Sequence, residues 1–117
     1  MTYFIRARTH YHYAQLLYQE VLQGKRELSL SLLRDIFLQG LKAIYAITEV
    51  NAPSSPPTLE DILKKILPTL SSEEKEKILQ LKELLFSKKD VKFSKEEWLS
   101  KIEEFLDLVR ECLQPIL

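Results

Sequence analysis

Three of the five prolines in this chain fall inside residues 51–57, Asn-Ala-Pro-Ser-Ser-Pro-Pro. Proline has no backbone N–H and clashes with the preceding turn, so no helix runs through such a stretch. The chain therefore splits into two halves at this point. Only two glycines occur in all 117 residues. That leaves little provision for tight hairpins, and no stretch alternates apolar and polar residues with period two. The sequence predicts helices on both sides of the proline segment.

The first segment carries Phe4, Ala7, Tyr11, Ala14, Tyr18 and Val21 at three-to-four spacing, one apolar stripe, and Gly24 supplies a stop. The second, about residues 27–50, is more apolar. Leu33, Ile36, Phe37, Gly40, Ile44 and Ile47 form one broad face. Arg34, Asp35, Gln39 and Lys42 form a polar arc, with Leu38, Leu41 and Tyr45 as a second ridge at its edge. A bundle this small is expected to leave that ridge uncovered, which marks Leu38, Leu41 and Tyr45 as a homodimer interface.

Beyond the prolines, Thr58 and Asp61 resemble a capping box and open a short helix bearing Leu59, Ile62, Leu63 and Ile66, which Pro68 ends or bends. Ser71 and Glu74 box a fourth helix that buries Ile78, Leu81 and Leu85. Ser94 and Glu97 box a fifth, with Phe93 placed to staple onto Trp98. Its stripe runs Trp98, Ile102, Phe105, Leu106, Val109 and Leu113, and Pro115 closes it. The expected fold is a single all-α domain over residues 1–117. It is an antiparallel up-and-down bundle of about five helices, three of them long, with breaks near 23–26, 51–57, 68–71 and 87–93.

Bulk properties narrow the function. Seventeen Lys and Arg balance seventeen Asp and Glu, so the zero net charge argues against strong nonspecific nucleic-acid binding. The single cysteine, Cys112, rules out an intramolecular disulfide and a cysteine-type metal motif; near a helix C-terminus it reads as a packing residue. No apolar run approaches a membrane span or a signal peptide, so a cytoplasmic protein with no membrane association is expected. The Lys and Glu bias fits a thermophile and equally any helical protein. No phosphate-binding glycine loop, acid–base carboxylate couple or metal set stands out, and no cofactor or metal is expected.

Residues 32–66, Leu32 through Ile66, resemble a HEPN domain. Gly40-Leu41-Lys42-Ala43-Ile44 is similar to that family's Ala-Leu-Lys-Ala-Leu core, a proline-bearing loop follows, and Thr58-Leu59-Glu60-Asp61-Ile62 resembles its Thr-His-Asp-Leu helix start. The number and order of the flanking helices extend the resemblance over most of the chain. It implies an antiparallel helical bundle that dimerises. It also implies one of two activities: a ribonuclease with an arginine four to six residues before a histidine late in the chain, or a non-catalytic partner of a minimal nucleotidyltransferase in a toxin–antitoxin-type system. After His12 the chain has no histidine, and Leu59 stands where the helix-start histidine would be. Both departures favour the non-catalytic branch.

The chemistry-bearing residues gather at 6–13, Arg-Ala-Arg-Thr-His-Tyr-His-Tyr. On a regular helix Arg6 pairs with His10 and Arg8 with His12, each four residues apart. His10 and His12 point about 200° from one another and cannot hold one metal together. We read Arg6, Arg8, His10 and His12 as boundary and surface residues. The rival is a ribonuclease toxin using one Arg/His pair, with the histidine as base and an RNA or nucleotide as ligand. Tyr11 and Tyr18 belong to the buried stripe. A third reading is a purely structural interaction protein.

Overall fold

The structure, a computed structural model, describes residues 2–48, 55–87 and 93–114. They form five α-helices and no strand: α1 (Thr2–Leu22), α2 (Leu30–Thr48), α3 (Leu59–Ile66), α4 (Ser72–Phe86) and α5 (Lys95–Cys112). The expected all-α bundle is what the chain adopts. The first part of the proline segment, 51–54, and most of the expected break at 87–93 lie outside the described residues, as does Pro115.

Local chemistry sets the helix ends. At the end of α1, Gly24 takes φ +75°, a conformation costly for any residue with a β-carbon. The Lys25 N–H then reaches the Glu20 carbonyl at 2.9 Å and the Gly24 N–H reaches Val21 at 3.1 Å, the paired bonds of a Schellman stop. The second helix begins at Leu30, not near 27. Ser29 Oγ accepts from the Leu32 N–H at 3.1 Å and so caps it, a start that the expected boundary overlooked. All three capping boxes form, at Thr58/Asp61, Ser71/Glu74 and Ser94/Glu97. The Phe93 ring meets Trp98 edge-on, with centroids 5.1 Å apart, as a staple requires. Pro68 lies in a 3-10 turn, Leu67–Thr69, that ends α3 and leads into α4.

α2 is the centre of the bundle. It packs most extensively on α1 and also touches α3, α4 and α5. Its directions can be read from individual contacts. Gln39 faces α1, where the His10 Nδ1–H donates to Gln39 Oε1 at 2.7 Å. Arg34 faces the end of α4: its Nε donates to the Leu85 carbonyl at 2.7 Å while its guanidinium lies 5.3 Å from the Phe86 ring centre. That cation satisfies an orphan carbonyl and complements the negative end of the helix. Gly40 faces α5, under the Phe105 ring.

This surround corrects the expected ridge. Leu41 is fully buried in the chain's own core, Tyr45 packs against that core from the edge, and Leu38 is half-buried. Helices on both flanks of α2 widen its buried arc to roughly 220° at 100° per residue. Leu38, Leu41 and Tyr45 therefore do not form one exposed strip.

Candidate functional site

Of the four candidate side chains on α1, the fold engages His10 most firmly. His10 is half-buried, and its Nδ1–H donates to Gln39 Oε1 at 2.7 Å, which orients the ring and turns Nε2 away from that bond. Arg6, one turn earlier on the same side, is half-buried too. Arg8 and His12 are exposed, and His12 leans on the Tyr11 ring at a centroid distance of 5.6 Å. The structure thus keeps the two histidines on different sides of α1, as the spacing requires. Helical neighbourhood puts Arg6 beside His10 and Arg8 beside His12. The principal clefts are lined by other residues.

The α1 tyrosines divide as their spacing implies. Tyr11 and Tyr18 are buried against α5. Burial pushes the Tyr11 phenol above its ordinary value, opposed by Arg110 and aided by Asp107. Burial likewise raises Tyr18, aided by the neighbouring Glu103 carboxylate and by Asp107. Both are packing residues whose phenols feel charged side chains of α5. Tyr13 is exposed.

Cys112 is half-buried and its thiol faces Glu74 Oε2 at 3.8 Å. Burial and the Glu74 carboxylate push it up to about 11, so it is a protonated packing group and a poor nucleophile near neutrality.

Two features escaped sequence reasoning. The first is a cleft of about 370 Å³ between the start of α4 and the end of α5, lined by Glu73, Glu74, Glu104, Asp107 and Glu111 together with Lys77, while Asp107 also pairs with Arg110 at 3.6 Å. These carboxylates come from separate runs, and only the packing of α4 beside α5 gathers them. Among the described residues no group of three or more His, Cys, Asp or Glu is placed to hold a metal ion. The second is on the outer side of α1. Ile5 is 62% exposed and Leu16 is 54% exposed, the two largest exposures among the big apolar side chains described. Their eleven-residue separation, three turns, was the available signal. It was masked by the polar residues around them.

Among the described residues no helix is long and apolar enough to cross a membrane. Comparison with protein-family models, with curated proteins and with solved structures gave no match.

Proposed function

We propose that this chain is a non-catalytic helical interaction subunit of the HEPN type, whose partner is a minimal nucleotidyltransferase. The observation that carries the interaction reading is the outer side of α1, where Ile5 and Leu16 stand in water on a helix whose opposite side is fully engaged in the core. Two large apolar side chains exposed on one side of a helix, about 16 Å apart, support a surface that binds another molecule. HEPN character and the nucleotidyltransferase rest on the resemblance of residues 32–66. The self-association that the resemblance also implies has to use a surface other than an α2 ridge containing Leu41, which is buried within one chain.

The second reading is a ribonuclease built on Arg6 and His10. One observation favours it: the Gln39 hydrogen bond orients the His10 ring through Nδ1, with an arginine one turn away. Two assays separate the readings. Affinity capture from the native host, with mass spectrometry, should return a nucleotidyltransferase. The purified chain should leave single-stranded RNA intact. Cleavage abolished by His10→Ala would establish the enzyme reading in its place.

A further inference from the structure

The exposed apolar residues of this molecule are concentrated on one helix. Of the seven large ones among the described residues, Ile5, Tyr13, Leu16 and Leu22 all belong to α1. Ile5 and Leu16 lie within about 20° of one another at 100° per residue. Between them Thr9 turns its hydroxyl back onto the Ile5 carbonyl at 2.8 Å, which satisfies that hydroxyl's polar hydrogen. The stripe is about 16 Å long at 1.5 Å per residue, matching three turns of a docked helix.

The charge beside its N-terminal part has one sign. From Thr2 to Gln19 the chain has no acidic residue, while Arg8 borders the stripe directly and His12 lies within it. The first carboxylate, Glu20, is paired with Arg26 at 3.2 Å. The positive end of the α1 dipole lies at the same end as Ile5. A second copy of α1 would bring a second Arg8 to the contact, so charge disfavours self-pairing here.

Resting on the interaction-subunit reading, we propose that the Ile5–Leu16 stripe of α1 docks an acidic amphipathic helix of a partner protein. That helix carries leucine-like residues at three-to-four spacing, bordered by Asp or Glu. Its apolar side covers Ile5 and Leu16, and its carboxylates meet Arg8 and the helix N-terminus.

Two labelled helical peptides test this, with the same leucine stripe and either glutamate or lysine flanks. By fluorescence anisotropy the glutamate peptide should bind at least about tenfold tighter than the lysine peptide, less so as salt is raised. Leu16→Asp should abolish binding, and Arg8→Glu should invert the order of the two peptides. Both residues are exposed, and circular dichroism would verify that each variant folds. Should Leu16→Asp unfold the chain, Ile5→Asp serves as the same test. Equal binding of the two peptides, or binding that survives these substitutions, overturns the proposal. So does self-association, or adsorption to phosphatidylserine vesicles, that Leu16→Asp removes. A host partner still captured by the Leu16→Asp variant would sink the stripe and leave the interaction reading standing.

Discussion

The ring of Phe105 lies against the backbone of Gly40 so closely that a β-carbon on residue 40 would stand 2.6 Å from its Cζ and 3.2 Å from Val109 Cγ2. This is where α5 crosses the central helix. The ring has little room to swing, since Phe105 is buried and stacks on Phe37 at a centroid distance of 5.1 Å. Gly40→Ala would recover about 1 kcal/mol of helix propensity but overpack the crossing by about 1–3 kcal/mol. A net loss of about 1 kcal/mol is expected in urea denaturation. Trimming the ring in the double variant Gly40→Ala/Phe105→Leu should give non-additive losses, because the two sites touch.

Leu38 and Leu41 differ in depth by enough to be told apart by one charge each. Leu41→Glu places a carboxylate in a fully buried site and should cost several kcal/mol, enough to unfold a domain of ordinary stability. Leu38→Glu, at a half-buried position, should stay within about 1 kcal/mol. A Leu41→Glu variant with native ellipticity and melting temperature would contradict the burial described.

Asp61 is expected to make the chain acid-sensitive. Its carboxylate accepts from the Thr58 backbone N–H at 3.1 Å, and this bond, with the Thr58 side-chain bond, holds it below the ordinary carboxylate value. A group depressed on folding stabilises the fold above its unfolded pKa, and that contribution is lost as pH falls through the folded one. The loss should begin below about pH 4 and weaken the start of α3 first. Asp61→Asn should flatten the pH dependence of the melting temperature in that range. An unchanged slope would mean that the box contributes nothing ionic.

Cys112 should be slow toward thiol reagents. With the thiol at about 11, roughly one molecule in a thousand carries thiolate at pH 8. The rate with Ellman's reagent should keep rising about tenfold per pH unit from 7 to 10. A plateau below pH 9 would show a thiolate more stable than burial and Glu74 allow.

The helix starts at Thr58, Ser71 and Ser94 were legible because a capping box is local, with donor and acceptor three residues apart in sequence. The same holds for the Gly24 stop. The core stripe of α1 was legible except Leu17, which is buried beside it. The burial of Leu41 was not legible, since it depends on which helices flank α2 and not on α2 itself. Nor was Arg34 readable as a cap for α4, because its partner carbonyl on Leu85 lies 51 residues away. At the candidate site, spacing placed His10 and His12 on different sides of α1. Gln39, which orients His10, comes from another helix and gave no signal. The stripe of Ile5 and Leu16 was visible only as two isolated apolar residues in a polar stretch.

The central position of α2 bears on the order in which the chain assembles. α1 and α2 are joined by a short turn, so their pairing closes a small loop and is kinetically accessible as soon as both have left the ribosome. The side of α2 that holds Gly40 must wait for Phe105 and Val109, which follow it by 65 and 69 residues. Until then the nascent hairpin exposes a broad oily flank, and chaperone binding or misassembly at that stage would involve α2 before any other element.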